Sequence, residues 1–402
     1  MAILILIFEM TWTGTIHAPS NSATIQIVAQ AAPNQKIRVF ADASHLTELK
    51  RNVTLTGDGH IEFQAITVSS AYRSKPHIVS LRRGTREIAT IWRALRDIPG
   101  NEHCLVFLLS ATPTAIVAAS LLAKLDRRIV GVHVGLHGNL NDLTGWRSRN
   151  PLTRAFDLPA ILARPRTPRV RYLVLEEAIK NEMRKLMPRA AAVTDVLPHP
   201  INSTEVDLRP PQSASKPIRV GFVGQATDAK GIAPFLSMAS DLKNRFGNDV
   251  VFELIGRVPP GYDLSRFAIL DKAVTHDYLS RKEFCARLAC VHYVCLPFQS
   301  VYYNLSASGA LIDAVTWLKP VIACRVPLVA DLFEQFGDLG YLCANMDAMK
   351  AQIECLLASP DTQRYDKQIE AMRLARNARL PAAIAKDYRN ILLNEFPELL
   401  TG

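Results

Sequence analysis

Short apolar runs that alternate with helical patterns constrain the fold of this chain more than any other feature of its 402 residues. Buried strands alternating with amphipathic helices are typical of a parallel sheet covered by helices on both faces. The first half is therefore predicted to be a doubly wound, Rossmann-like α/β domain. Its strand-like runs are 2–8, 36–41, 60–66, 77–81, 104–110, 128–134 and 170–175.

The alternation stops once and then restarts. Residues 198–217 are rich in Pro and Ser and lack apolar periodicity, which indicates a linker. Beyond it, residues 348–396 have a helical pattern with breaks at Pro360 and Pro381. The strand-like runs of this second block are 218–224, 250–256, 272–279, 290–298, 319–325 and 339–345.

These patterns predict two doubly wound domains that face each other across a cleft, followed by C-terminal helices. We expect the first domain at 1–200, a linker at 201–217 and the second domain at 218–380. The last helix, at 381–402, is a candidate to cross back to the first domain.

Composition narrows the range of partners. The net charge of +10 favours something anionic, such as a membrane surface, a phosphorylated small molecule or nucleic acid. A basic surface that only aids solubility is the alternative. No nucleic-acid-binding motif accompanies the charge, so we expect no nucleic-acid partner.

The cellular setting follows from the apolar runs and the cysteines. No run approaches the ~20 apolar residues that span a bilayer, and Glu9 ends the first run, so we expect a cytoplasmic protein without a signal peptide. The seven cysteines lack zinc-site spacing, and neither a metal nor a cofactor is expected.

Ligands of parallel sheets bind beyond the carboxyl ends of the strands, and three junctions there carry candidate residues. At the first, a strand ends at Gly224, and Lys230 stands just before a helix, where an ammonium and a helix N-terminus both attract phosphate. The motif is not a Walker loop. The alternative is a solvated loop lysine.

The second junction follows the run 290–298. Ser308, Gly309 and Ala310 open a helix, and such small residues allow backbone amides to approach a diphosphate closely. Asp313, one turn further on, is placed to accept hydrogen bonds from ribose hydroxyls. The alternative is an ordinary helix whose N-cap is a serine.

The third junction places His137 at a strand end in the first half, where an imidazole can donate to a hydroxyl or transfer a proton. The loop after the first strand adds Trp12, Gly14 and His17 as candidates for the acceptor side, with tryptophan stacking on a sugar face. A structural histidine and an ordinary capped loop are the alternatives.

A cluster of arginines with interspersed apolar residues suggests a surface for anionic lipid headgroups or for a polyprenyl-diphosphate acceptor. A solvated charged face is the alternative. The arginines are Arg147, Arg149, Arg154, Arg164, Arg166, Arg169 and Arg171, and the apolar residues are Trp146, Leu152, Phe156 and Leu158.

Three segments together resemble glycosyltransferase family 4, whose members have the GT-B fold and use nucleotide sugars. GFVGQATDAKGIAPFLSMA is similar to the family's strand, loop and Lys-Gly helix start, and ASGALIDAVTWLKPVIACRVPLVADLF to its segment with two glutamates. YLVLEEAIKNEMRKLMPRAAAVTDVLPHPI resembles the passage into the second domain. The resemblance covers roughly residues 170–360.

The resemblance implies a role for each matching position. Lys230 would neutralise the donor diphosphate, and the amides around Ser308 would bind its distal phosphate. Asp313 would hold the ribose, and His137 would approach the transferred sugar. The full set of implied donor-binding residues is Gly224, Gln225, Lys230, Tyr303, Asn304, Ser308, Gly309, Ala310 and Asp313.

Two positions depart from the family pattern. Gln225 stands where the family usually has a diphosphate-binding arginine, and Leu305 stands in place of the first glutamate. Tyr302, Tyr303 and Asn304 are candidates to compensate.

The resemblance therefore implies a glycosyltransferase that uses a nucleotide-sugar donor, needs no metal and retains the anomeric configuration. Its product would be bacterial exopolysaccharide or another surface glycan. Its acceptor would be a glycan or a polyprenyl-diphosphate-linked glycan, with peripheral contact to an anionic membrane. The alternatives are a GT-B nucleotide-sugar epimerase and a non-catalytic protein that binds nucleotide or glycan.

Overall fold

The computed structural model describes residues 3–53, 61–68, 81–145, 147–164, 169–202, 214–298 and 300–397. The chain forms two compact units. Unit 1 comprises Met1–Thr204 together with Arg379–Gly402, and unit 2 comprises Glu205–Ala378.

Unit 1 contains a seven-stranded parallel sheet with the strand order β3-β2-β1-β4-β5-β6-β7. β1 lies in its centre, with Ile5 in register with Ile37 on one side and Leu105 on the other. The strands are β1 (Ile3–Phe8), β2 (Ile37–Ala41), β3 (Ile61–Ala65), β4 (His103–Leu108), β5 (Ile129–Gly135), β6 (Val170–Val174) and β7 (Thr194–Val196).

Helices cover both faces of this sheet, as right-handed crossovers between parallel strands require. The last helix of the chain packs against α1, and its Ile384, Tyr388 and Leu392 join the core formed by β1, β2 and β4. The helices of unit 1 are α1 (Ala18–Ala31), α2 (Ala43–Asn52), α3 (Leu81–Arg96), α4 (Pro113–Leu125), α5 (Pro151–Arg154), α6 (Leu158–Ala163), α7 (Glu177–Leu186), α8 (Pro188–Ala191) and α16 (Pro381–Glu395).

Unit 2 contains a five-stranded parallel sheet with the order β12-β11-β10-β8-β9. Its strands are β8 (Ile218–Gln225), β9 (Val250–Arg257), β10 (Tyr293–Leu296), β11 (Val321–Cys324) and β12 (Gly340–Cys343). Its helices are α9 (Ile232–Phe246), α10 (Arg281–Cys290), α11 (Ser300–Tyr303), α12 (Gly309–Thr316), α13 (Pro327–Phe336), α14 (Met346–Ala358) and α15 (Thr362–Ala378).

The α/β class and the two parallel sheets are confirmed, and two details of the strand prediction are wrong. Residues 272–279 form no strand, because the run mixes apolar with polar residues and lies in a loop across the end of β9. The short strand β7 was not predicted, since three residues carry little periodicity. Of the run 77–81, only Leu81 lies among the described residues, and it begins α3.

The strand order reverses once in each sheet, and this reversal locates the candidate ligand sites. In unit 1 it falls between β1 and β4, and in unit 2 between β8 and β10. The connections of two neighbouring strands diverge there, one to each face, and leave a crevice at the carboxyl ends. The segment after β8 contains Lys230, and the segment after β10 leads to Ser308.

Candidate functional site

Lys230 lies at the carboxyl end of the unit 2 sheet, directly above the end of β8. Its Nζ is 3.3 Å from the position that a Cβ on Gly224 would occupy, and Gly224 has φ +99°. A side chain at position 224 would therefore crowd the ammonium as well as strain the backbone. Burial lowers the pKa of Lys230, and the charge of Asp313 opposes this shift.

The turn that carries Lys230 packs tightly on the end of β10. A Cβ on Gly231 would lie 2.2 Å from the carbonyl oxygen of Pro297, so this residue must be glycine, as its φ of +81° also requires. A short 3₁₀ turn over Asp228–Lys230 precedes the glycine, and α9 follows it. The predicted Lys-Gly helix start thus lies next to the strand that leads toward Ser308.

Ser308 caps α12 as expected from the sequence. Its Oγ accepts a hydrogen bond of 3.2 Å from the amide of Leu311, which satisfies one of the free amides of the first turn. Gly309 is exposed, and a Cβ there would meet no atom within 4 Å. Ala310 is buried. The helix start is therefore open on the side of Gly309, and the helix dipole favours an anion at this amide end.

Asp313 lies on α12, close enough to Lys230 for its charge to raise the lysine pKa. Its Oδ1 is also 3.9 Å from Nη2 of Arg281 at the start of α10. The two features on which the donor-site hypothesis depends, the lysine and the helix opening, therefore lie at the same end of one sheet. Both flank the point at which the strand order reverses.

Arg257 belongs to this group of residues and was missed in the sequence. It ends β9 in direct register with Gln225 at the end of β8. With the amide oxygen of Gln225 turned toward it, Gln225 Oε1 accepts hydrogen bonds of 3.0 and 2.6 Å from Arg257 Nε and Nη2. The guanidinium also lies 3.8 Å from the ring centroid of Tyr278. An arginine thus stands one strand away from the position where the family resemblance places it.

Tyr303 and Asn304 occupy different environments. Tyr303 is 1% exposed and stacks on Phe298 at a centroid distance of 3.7 Å, so its ring is part of the packed core. Asn304 has a buried Oδ1 with no hydrogen-bond partner among the described residues. Such an orphaned acceptor costs free energy unless a ligand or water satisfies it. Leu305, in place of the family glutamate, is buried.

In unit 1, Glu9 organises the loop that carries Trp12 and Gly14. Its Oε1 accepts the amides of Thr11 (2.8 Å) and Trp12 (3.0 Å), and its Oε2 accepts Asn21 Nδ2 (3.0 Å). Burial raises the pKa of Glu9 to about 7, against the effect of these donors. The sequence predicts only that Glu9 ends the first apolar run and does not predict this role in the loop.

His45 fixes the same loop from α2. Its Nδ1 is 2.7 Å from the carbonyl oxygen of Gly14, and its Nε2 is 3.1 Å from Asn21 Nδ2. Gly14 adopts φ +56°, a conformation that favours glycine. The loop is therefore held by side chains from two helices.

A row of aromatic rings links the predicted residues of unit 1. Trp12 and His17 have ring centroids 4.5 Å apart, His17 and His137 4.6 Å, and His137 and His199 6.2 Å. The structure thus brings together the catalytic and acceptor-side candidates and adds His199. His17 has φ +58° at the start of α1, an uncommon conformation for a residue with a side chain.

This histidine cluster is held in the neutral form. Burial lowers the pKa of His137 to about 4. Burial, with His137 and Arg379 nearby, lowers that of His199 to about 3, and burial also lowers the pKa of His17. Near neutral pH, a neutral imidazole of this kind is able to accept a hydrogen bond from a hydroxyl.

We expect the free energy of unfolding to fall as the pH is lowered from 6.5 toward 4. The unfolded histidines take up protons in this range, whereas the folded cluster does not. In His199→Gln, this fall should be smaller by up to roughly 3 kcal/mol, at about 1.4 kcal/mol per pKa unit. Urea denaturation at several pH values measures it. The raised pKa of Glu9 has the opposite effect on stability in this pH range, and it is present in both proteins. The test is therefore the difference between variant and wild type, and an equal pH dependence of the two would contradict the prediction.

The arginines of 147–171 differ in their contacts. Arg171 pairs with Asp195 and Glu395, and Arg169 donates to the carbonyls of Ala123 and Ile129. The exposed members are Arg147, Arg149, Arg154, Arg164 and Arg169. Trp146, Arg166 and the side chain of Leu152 lie outside the described residues.

Neither a metal site nor a membrane-spanning helix is found in the part of the chain that the structure describes. None of its His, Cys, Asp and Glu side chains form a group of three or more that is suited to a metal ion. Its helices are all too short or too polar to cross a bilayer.

Comparison with known proteins identifies the fold. Neither a protein-family model nor a curated protein sequence matches this chain. Solved structures do match it over nearly its whole length. A glycosyltransferase from Rickettsia africae has 11% identity and a TM-score of 0.66, with 99% of each chain covered. The chain has the GT-B fold.

Two other GT-B structures are similar. Anabaena HepE, solved in complex with UDP, has 15% identity and a TM-score of 0.62, and the match covers 98% of this chain and 100% of HepE. WaaG, described as a glycosyltransferase involved in lipopolysaccharide biosynthesis, has 15% identity and a TM-score of 0.55, with 100% of each chain covered. At these identities, the GT-B fold is what the similarity establishes.

Proposed function

We propose that this protein is a glycosyltransferase that moves a sugar from a nucleotide-sugar donor to a glycan or to a lipid-linked glycan. One observation carries the proposal: Lys230 and the open, Ser308-capped start of α12 lie together where the strand order of the unit 2 sheet reverses. An ammonium and free helix amides at such a crevice fit a diphosphate. The GT-B neighbours, one of them bound to UDP, support this assignment.

In the proposed complex, Lys230 and the amides of Gly309 and Ala310 stabilise the diphosphate, whose negative charge grows as the bond to the sugar breaks. Asp313 accepts hydrogen bonds from the ribose. Gly224 leaves room for the lysine, and Asn304 Oδ1 accepts a hydrogen bond from the donor. Such cationic and amide stabilisation requires no bound metal, and we propose a metal-independent reaction.

In unit 1, we propose His137 as the catalytic side chain, with Trp12, Gly14 and His17 forming the acceptor side. The neutral imidazole is suited to accept a hydrogen bond from a sugar hydroxyl. Membership of glycosyltransferase family 4, retention of configuration, a cytoplasmic location and a role in exopolysaccharide or surface-glycan synthesis remain proposals that rest on the sequence resemblance.

The test is ligand binding followed by transfer. A panel of nucleoside diphosphates and their sugars is screened by thermal shift, and stabilisation of about 2.7 kcal/mol is expected at a hundred times the Kd. Bound donors are then incubated with glycan and lipid-linked acceptors. Full turnover of the donor without acceptor favours an epimerase, and binding without any turnover favours a non-catalytic protein. No binding by any member would overturn the proposal.

We further propose that Arg257 takes the place of the missing family arginine and contacts the nucleotide diphosphate. Arg257→Ala should weaken diphosphate binding about 10- to 100-fold, the value of a lost charge-assisted hydrogen bond or two. Titration calorimetry with a bound nucleoside diphosphate measures it. Arg266→Ala, which removes an exposed arginine of the same unit, is the control. Equal affinities in the two variants would remove Arg257 from the site.

A further inference from the structure

Unit 1 contains a cavity of about 600 Å³ beside β6 and the start of β7. Its walls are mainly apolar, formed by Val117 of α4, Ile161 and Leu162 of α6, and Val170 and Val193. Protein interiors are packed at near-crystalline density, and cavities of this size are typical of ligand sites.

The mouth of the cavity is basic. Lys124, Arg164 and Arg189 line it and are exposed, and the described lining residues include no carboxylate. Among the described residues, none of these three cations forms an ion pair. Arg164 donates to the carbonyl of Ala155 and lies 5.2 Å from the ring centroid of Phe156. Three cations without counter-charges at one opening are complementary to an anionic headgroup.

One exposed leucine of α4 lines this opening, and a second follows one turn later. Leu121, which lines the cavity, is 45% exposed, and Leu125 on the next turn of α4 is 73% exposed. Leucines at a helix surface beside basic residues are typical of contact with a membrane interface. The combination of an apolar interior, a basic mouth and an apolar rim matches an amphiphile with a negative head.

The cavity is separate from the candidate catalytic residues. Val170 begins β6, and Arg189 and Val193 precede β7, so the cavity lies toward the amino ends of these strands. His137 follows the carboxyl end of β5. Because the strands are parallel, these are opposite edges of the sheet. The cavity is therefore not placed to present an acceptor to His137.

We infer that the cavity binds one acyl chain of an anionic membrane phospholipid, with the phosphate at Lys124, Arg164 and Arg189. For a short-chain lipid taken up from water, each methylene group buried in the cavity strengthens binding about fourfold. For a lipid in a bilayer, whose chains already lie in hydrocarbon, the contacts of the three cations with the phosphate drive the attachment. The inference does not depend on sugar transfer.

The test is flotation of the full-length protein with phosphatidylcholine vesicles that contain or lack phosphatidylglycerol. The variant Lys124→Ala/Arg164→Ala/Arg189→Ala should bind the anionic vesicles roughly a hundredfold more weakly. A control with the same net charge, Lys282→Ala/Lys367→Ala/Lys386→Ala, removes exposed lysines elsewhere and should bind as the wild type does.

A second variant separates chain insertion from surface adsorption. Ser120 lines the cavity, so Ser120→Trp fills it and leaves every cation in place, and vesicle binding should be lost. Leu125→Trp, outside the cavity, should bind at least as well as the wild type. Circular dichroism of each variant checks the fold, and Ser120→Phe serves if Ser120→Trp does not fold.

Soluble ligands complete the test. Dihexanoylphosphatidylglycerol should compete with the vesicles, and glycerol 1-phosphate, the headgroup without chains, should not. Three results would each overturn the inference. They are wild-type protein that does not bind anionic vesicles, folded cavity-filling variants that bind them like the wild type, and equal competition by glycerol 1-phosphate.

Discussion

Lys230→Ala should lower the rate of the proposed sugar transfer about 10²- to 10³-fold while leaving unit 2 folded. This is the range expected when one preorganised group that stabilises transition-state charge is removed. The lysine is desolvated at the end of β8, which lowers its pKa, so the folded protein pays a cost to keep it there. Its removal should therefore leave the melting temperature unchanged or higher. Steady-state kinetics with the bound donor, together with thermal denaturation, measure both effects.

The control is Lys367→Ala, which removes an exposed lysine from α15 of the same unit. It has the same net charge as Lys230→Ala and should have wild-type kinetics. Affinity for the nucleoside diphosphate should fall in Lys230→Ala and not in the control. A Lys230→Ala protein with wild-type kcat/KM would remove the lysine from the reaction and leave the helix start at Ser308 without its proposed cationic partner.

The topology of both sheets was largely predictable from the sequence, because it depends on local patterns. Runs such as 104–110 and 250–256 are continuous apolar segments of strand length, and each became a strand buried on both faces. The strand predicted at 272–279 is not formed, and the mixed pattern of the run explains both the prediction and its failure. Its apolar residues are interspersed with His276 and Asp277, and no periodicity distinguishes such a loop from a half-buried strand.

Residues brought together by pairing between distant strands could not be predicted in the same way. Arg257 and Gln225 are 32 positions apart and meet only because β8 and β9 are in register at their ends. The sequence indicated the role of Arg257 only by its position, directly after the glycine that ends the predicted strand 250–256. The strands were predicted, but their register depends on packing of the whole sheet.

The histidine cluster shows the same limit. His17 and His137 were each proposed from their positions after strands, but His199 follows β7, which was itself not predicted. Arg171 shows the reverse case. Its neighbours in sequence suggested a basic surface, whereas Glu395 from the last helix and Asp195 pair with it. Charge counted along the chain does not reveal which cations are neutralised in the fold.

Arg379→Met should destabilise unit 1 by about 3–5 kcal/mol, the cost of leaving a buried carboxylate without its guanidinium. Arg379 and Glu176 form a bidentate pair with distances of 2.8 and 2.7 Å, and they are 3% and 7% exposed. Arg379 also donates to the carbonyl of His199, at 3.2 Å. Urea denaturation measures the loss, with a separate transition fitted for each unit because two-unit chains need not unfold in one step.

Two further variants identify the cause of that loss. Arg373→Met breaks a surface pair with Glu370 on α15 and should cost less than about 1 kcal/mol. The double variant Arg379→Met/Glu176→Leu removes both buried charges and should recover much of the lost stability, because an apolar pair needs no desolvation of ions. If the double variant were as unstable as Arg379→Met, the hydrogen bond from Arg379 to the carbonyl of His199, rather than the buried carboxylate, would account for the effect. In that case, Arg379→Met should also change the pH dependence of stability attributed to His199.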